Sequence, residues 1–395
     1  MSTPDYQPLH ADFLDSHLYL SDVERSFLAR QRLFLEAEVE PRVNELWESS
    51  AFPHDVVKSL ADLGVFRPGY EQTREFENSS VFRGFATLEI ARVDASIGTF
   101  VGVHSGLAMG SVALCGSPEQ RNEWLPQMAS GDIIGCFAMT EPDHGSDVAG
   151  GMATTAKRDG DGWILNGAKR WIGNGTWADI AIVWARNVAD DKVLGFIVPT
   201  STEGFTATKI EGKYSLRIVQ NADIVLDGVR IPETLRLQEA NSFKDTGKVL
   251  RLTRLDVAFS AIGNAIGAYE KALAYALDRE QFGKKIASFQ LVQDLLVKAQ
   301  GNITSALALA ISVARMRDEG RQEDKHSSMA KLIVLNQMRE AVAWCREILG
   351  GNGVVIDYGV MRHFADAEAQ YSFEGTREVN TLIVGRALTG HQAFA

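Results

Sequence analysis

The chain has 395 residues, more than a single hydrophobic core usually serves, so two or three domains are expected. Hydrophobic residues make up 45% and charged residues 23%, an ordinary composition for a soluble globular protein. With 40 basic against 51 acidic residues the net charge is −11, which argues against nucleic acid as the main partner because phosphate binding needs a basic surface.

The opening stretch MSTPDYQPLHADFLDSHLYL is polar and acidic, unlike a signal peptide. No window is read as approaching the roughly 18 apolar residues of a membrane span, so no membrane partner is expected. VERSFLARQRLFLEAEVEPRVNEL carries apolar residues at helical spacing with charges between them. After a break at Pro53, HDVVKSLADLG predicts a helix that stops at Gly64. SSVFRGFATLEIARVDASIGTFVGVHSGLAMGSVAL, rich in small residues, predicts closely packed buried helices interrupted around Asp94 to Gly98.

The character changes near Gly135. DGDGWILNGAKRW has a DG turn followed by alternation, a hairpin signal, and DIAIVWARN, VLGFIVPT and ADIVLDGVRIP are short β-rich runs between polar turns. An antiparallel sheet or barrel is expected over 136–235. CFAMTEPDHGSD joins the two regions and offers the hydroxyls of Thr140 and Ser146 beside turn N–H groups. A Pro–Gly turn whose Ser and Thr bond their own backbone accounts for it equally. KRWIGNG puts Trp171 at a strand end before glycines, and a core tryptophan followed by a turn is its plain local explanation.

The last third returns to helix. LDVAFSAIGNAIGAYEKALAYALDRE, QLVQDLLVKAQGNITSALALAISVARMRDEG, SSMAKLIVLNQMREAVAWCREILGGNG and TREVNTLIVGRALTG are amphipathic segments with short connections, suggesting a helical bundle. ILGGNGV follows a helix and does not join a strand to one, so it is no dinucleotide fingerprint; a helix C-cap and a close backbone approach to a ligand both fit it. In YSFEGTREVN, Glu374 stands among Phe373, Gly375 and the helix-opening Thr376. A solvated loop acid and a base placed for proton abstraction both fit that decapeptide.

Cys115, Cys136 and Cys345 lie far apart in apolar surroundings and read as reduced, buried thiols. The eight histidines show no metal-ligand spacing, so no metal is expected. HQAFA is not a peroxisomal address tripeptide, and cytoplasm is the expected location.

Taken in order, AMTEPDHGSD, WILNGAKRWIGN, YALDREQFGK, LGGNG and FEGT resemble the acyl-CoA dehydrogenase family from about Ser21 to the end of the chain. The resemblance implies an α+β multidomain protein. It would have an N-terminal helical domain (1–135), a middle antiparallel, barrel-like β domain (136–235) and a C-terminal four-helix bundle (236–395). FAD would lie between the last two and reach a neighbouring subunit of a homotetramer. Glu374 matches the catalytic base, and Gly375 a contact to the substrate thioester. Phe137, Met139 and Thr140 match residues beside the isoalloxazine, and Ser146 one near the phosphates and the CoA chain. Trp171, followed by Ile172 and Gly173, matches the aromatic wall of the flavin. Arg279 and Gln281 match contacts to the FAD pyrophosphate across a subunit interface, with Phe282 and Gln290 in the same region. Glu347, Leu349, Gly350, Gly351 and Thr376 fall where the family binds flavin, and Arg254 in the acyl-CoA site.

The reaction implied is α,β-desaturation of an acyl-CoA, with Glu374 taking the α proton and hydride passing to flavin N5. Electrons would go to an electron-transfer flavoprotein or to O2. Three departures matter. Some relatives take their base from the position matching Thr253, which has no carboxylate. The chain is similar to the glutaryl-CoA dehydrogenase branch through LGGNGV and GRALTGHQAF, yet Gly98 and Thr99 stand where that branch binds the distal carboxylate with an Arg–Ser pair. A short, neutral acyl chain is therefore expected. Gly173 replaces a threonine that faces N5, as in the similar plant short-chain acyl-CoA oxidases. It either leaves space through which oxygen could reach the flavin or is a neutral variant. A dehydrogenase is the expected reading, from its dehydrogenase length and a C-terminus that is no peroxisomal address.

Overall fold

The computed structural model describes residues 6–392, so the first five residues of the polar opening stretch and the last three of HQAFA lie outside the described residues. Helices come first: α1 (Asp22–Phe34), α2 (Val43–Ser49), α3 (Asp55–Asp62), α4 (Ser80–Val93), α5 (Ala95–Val101), α6 (Met109–Cys115) and α7 (Pro118–Ala129). The break expected after α4 falls at Asp94, whose extended backbone ends α4 and whose carboxylate caps the Ser96 and Ile97 N–H groups of α5. Between α5 and α6 the helix is continuous but locally widened into a π-helical segment, Gly102–Ala108.

The sheet is built from β1 (Gly135–Ala138), β2 (Thr155–Asp159), β3 (Gly162–Gly173), β4 (Ile180–Asn187), β5 (Val193–Pro199), β6 (Phe205–Lys209) and β7 (Asn221–Pro232), with a single helical turn, α8 (Val148–Gly151), after β1. The DG hairpin forms as expected, with Asp159 paired to Gly162. Strand order is β1-β4-β2-β3-β7-β6, and β5 pairs with β4. Most pairings are antiparallel, but β1 and β2 each run parallel to β4, which also pairs with β5. The β3–β7 ladder slips between Lys169 and Ile172, a bulge that turns Trp171 to a left-handed φ of 65°.

The C-terminal region holds α9 (Phe243–Asp278), a small hairpin of β8 (Glu280–Gln281) and β9 (Lys284–Lys285), α10 (Gln290–Asp318), α11 (Asp324–Ile348), α12 (Val360–Ser372) and α13 (Arg377–Thr389). Helix α9 packs on both α4 and α11. Gly263 lets α4 come close, since a Cβ there would lie 2.2 Å from the Leu88 carbonyl oxygen. Buried polar links bind the first and last thirds together: Arg362 to Asp94 at 2.9 Å and Trp47 to Asp366 at 3.0 Å.

One expectation is corrected. Ala95–Cys115 and Gln290–Asp318 are both long and apolar enough to cross a membrane by length and composition. Of their most apolar windows 61% and 44% are buried against the rest of the fold, so core packing accounts for most of the first and under half of the second.

Candidate active site

Helix α12 ends at Ser372, and the chain turns twice through left-handed backbone, at Glu374 (φ 54°) and Gly375 (φ 86°). Thr376 then caps α13 by accepting from the Val379 N–H at 3.3 Å. Glycine adopts that geometry freely, but a glutamate there costs about 1–3 kcal/mol and must be held by its surroundings. Three groups hold it. The Lys331 ammonium donates to the Phe373 carbonyl and, at 2.5 Å, to the Gly375 carbonyl. Asn380 Nδ2 donates to the Gly375 carbonyl at 2.9 Å. The Thr253 hydroxyl, from α9, donates to Glu374 Oε1 at 2.5 Å.

Glu374 as a residue is half-buried, but its Oε2 is closed off from solvent and has no hydrogen-bond partner among the described residues. Burial pushes its pKa up to about 7, against the Thr253 hydrogen bond and the nearby Lys331 and Arg254 charges, which pull it down. Lys331, 1% exposed, is pushed down to about 7 by its own burial, with the Glu374 charge acting the other way. Arg254 is buried beside them and comes within 4.0 Å of Asp324.

The sheet presents a second wall. Phe137 is buried at the end of β1, and the chain beyond it runs along β3, with the Arg170 N–H donating to the Thr140 carbonyl at 2.8 Å. Lys169 anchors this run from below, donating to the Met139 carbonyl at 3.0 Å and to Glu141 Oε1 at 2.9 Å. Glu141 in turn accepts from the Ala153 and Thr154 N–H groups, closing the loop that contains exposed Ser146. Trp171 is 52% exposed because the bulge turns it outward, which corrects its reading as a core side chain.

The π-helical segment bridges the two walls. A Cβ on Gly173 would lie 3.1 Å from Val103 Cγ2, and a Cβ on Gly106 would lie 3.2 Å from Thr253 Cγ2. Val103 therefore stands close beside Gly173 and would have to give by a few tenths of an ångström for a larger residue at 173. π-helical turns recur at functional sites, where the extra residue re-aims neighbouring side chains.

The remaining predicted residues lie elsewhere. Arg279 is 26 residues along α9 from Thr253, about 39 Å at 1.5 Å per residue. It begins the hairpin that holds Gln281 and the 93% exposed Phe282, with Gln290 opening α10 just beyond. Glu347 lies 16 residues along α11 from Lys331, about 24 Å away. Asn352 Nδ2 bonds the Tyr275 hydroxyl at 3.0 Å, which draws Gly350 and Gly351 toward the hairpin end of α9. One chain thus carries two separate half-sites. Ile172 and Leu349 are buried in the core, so only their backbone can face a ligand. Gly98 is buried on α5 next to Ala91, and Thr99 bonds the Ala95 carbonyl one turn back.

Sequence reasoning missed Lys331, Thr253 as the partner of the acid, and Val103. Lys331 left a usable signal, being a lone cation on the buried stripe Ser327, Lys331, Val334, Leu335, Met338 of α11.

The two half-sites suit a flavin dinucleotide. A half-exposed indole at the bulge offers a flat wall to a ring system. At the other end, Cβ atoms on Gly350 and Gly351 would meet nothing within 4 Å, and Arg279 is exposed to receive phosphate.

Three family descriptions match the chain in order: acyl-CoA dehydrogenase N-terminal domain over residues 21–132, middle domain over 136–229 and C-terminal domain over 243–389. The chain is 33% identical over 358 residues to the mitochondrial short-chain specific acyl-CoA dehydrogenase of Bos taurus, covering 89% of this chain and 87% of that protein. Glutaryl-CoA dehydrogenase from Mycobacterium smegmatis superposes with a TM-score of 0.93 at 40% identity, over 98% of this chain and 99% of that one. A glutaryl-CoA dehydrogenase of the same organism in complex with FADH2 gives 0.94 at 37% identity, over 98% and 100%.

Proposed function

The chain belongs to the acyl-CoA dehydrogenase family, and we propose that it desaturates a short, uncharged acyl-CoA to the trans-2-enoyl-CoA, with Glu374 as the base. The observation that carries this reading is the enclosed Glu374 carboxylate, with a pKa lifted to about 7 and one oxygen free of partners. A base of that strength suits proton abstraction near neutral pH.

FAD is the cofactor, and when bound it supplies the hydride acceptor for the β-carbon. Phe137, Met139, Thr140, Trp171 and Thr376 would hold its ring end. Arg279, Gln281, Phe282, Gln290, Gly350 and Gly351 would hold the dinucleotide of a neighbouring subunit, which suits a homo-oligomer, tetrameric in this proposal. An α proton beside a thioester is only weakly acidic, so the carbonyl must be polarised. The Glu374 N–H donates to no group among the described residues and is free for that task. In this proposal Gly375 would leave room for the thioester, Arg254 would contribute to the acyl-CoA site, and Ser146 would meet the CoA chain.

The absence of an arginine at Gly98 supports a neutral acyl chain, because a buried distal carboxylate would lack a charge partner there. Val103 against Gly173 favours a dehydrogenase using an electron-transfer flavoprotein over an oxidase. A panel of acyl-CoAs assayed with and without an artificial acceptor, with peroxide measured in parallel, tests the whole reading. Butyryl-CoA should be turned over faster than glutaryl-CoA, and only with the acceptor. Preference for glutaryl-CoA, or stoichiometric peroxide, would contradict it.

A further inference from the structure

Lys331 sits behind the base in an arrangement that secondary structure does not require. It is 1% exposed, and among the described residues no carboxylate lies within 4.0 Å of its ammonium. Instead it donates to the carbonyls on both sides of Glu374, those of Phe373 and Gly375. Burying an ammonium is costly unless its charge is used. A neutral amide could have satisfied one carbonyl, as Asn380 already does for Gly375 at 2.9 Å. The loop it grips has two successive left-handed residues, Glu374 and Gly375, so its geometry needs an external hold.

We propose that Lys331 is a positioning residue for Glu374, fixing the backbone turn that presents the carboxylate and, through its charge, setting the pH at which that carboxylate is ionised. This rests on the reading of Glu374 as the base. The other charged groups acting on the pair are Arg254 and Asp256 of α9, with Arg377 of α13 bordering the same small cavity as Lys331 and Asn380; Arg251 and Asp324 stand behind Arg254 and act on it. Of these, Arg254 favours the ionised carboxylate and Asp256 opposes it. Lys331 acts in the same sense as Arg254, so removing its charge raises the pKa of Glu374.

The test is anaerobic flavin bleaching by butyryl-CoA, followed from pH 6 to pH 9 in flavin-loaded Lys331→Arg, Lys331→Gln and Lys331→Met. Lys331→Gln and Lys331→Met should move the midpoint of the profile up by about one unit, from about 7, with a rate about fivefold lower at pH 7. Lys331→Arg should keep the wild-type midpoint. Should Lys331→Met fail to retain flavin, Lys331→Gln carries the same expectation. A lower rate with an unmoved midpoint, or a wild-type profile, overturns the proposal. Glu374→Gln run alongside separates the two claims. If it bleaches at the wild-type rate, the assignment of the base fails. If it is inert while the lysine variants follow wild type, only the role of Lys331 fails.

Discussion

The hydroxyl of Thr253 donates to Oε1 of Glu374 across 2.5 Å, tying the longest helix of the fold to the loop that carries the acid. Thr253 stands on α9 just before Arg254 and acts on the acid presented by the loop between α12 and α13. It holds down a carboxylate pKa that burial pushes up to about 7. Because the base must be ionised to take a proton, flavin reduction in the wild type should rise with pH through about 7. Thr253→Val removes a hydrogen bond to a charged group, worth about 1.5 kcal/mol, so the midpoint should move up by about one unit. Thr253→Ser should leave it in place. The check is the pH dependence of the single-turnover bleaching rate in the three proteins.

Glu141 supports the opposite wall of the site. It pairs with Lys169, whose side chain is wholly buried, and accepts from two backbone N–H groups. Glu141→Ala leaves that ammonium buried without its partner, which should cost about 3–5 kcal/mol of stability. Thermal or denaturant unfolding of the flavin-loaded protein measures it. Loss of flavin should accompany the loss of stability, because the Met139–Thr140 run hangs on Lys169.

Gly173 and Val103 form a size-matched pair. A Cβ at 173 would press on Val103 Cγ2 at 3.1 Å, so Gly173→Thr alone should destabilise by about 1–3 kcal/mol. Adding Val103→Ala should restore most of that. The single change Val103→Gly should open the space and raise peroxide formation during aerobic turnover. Unchanged peroxide would mean that Val103 does not limit oxygen access.

Much of the architecture could be read from the chain because local signals agreed with the tertiary outcome. The Gly160–Asp161 turn, the continuous apolar runs of β4 and β5, the alternation of β7 and the long helices ending at Asp278 and Asp318 each carry one clear local signal. Helix α12 was not read: VMRHFADAEAQYS buries Arg362, His363, Asp366 and Gln370, polar residues whose partners come from Asn44, Asn264, Trp47 and Ser260 far away in sequence. The parallel joins of β1 and β2 to β4 were equally hidden, since periodicity does not report strand direction. At the site, Glu374 was named from its motif, but Thr253 and Lys331 meet it or its neighbours, and Val103 meets Gly173, through contacts more than forty residues apart. Trp171 misled for a related reason, because the bulge that exposes it is a property of the β3–β7 register and not of KRWIGNG alone.

The most direct test is anaerobic mixing of butyryl-CoA with flavin-loaded wild type and Glu374→Gln, followed at the flavin absorbance. The wild type should bleach, and the variant should hold its flavin yet stay oxidised. A variant that bleaches at the wild-type rate would contradict the assignment of Glu374 as the base.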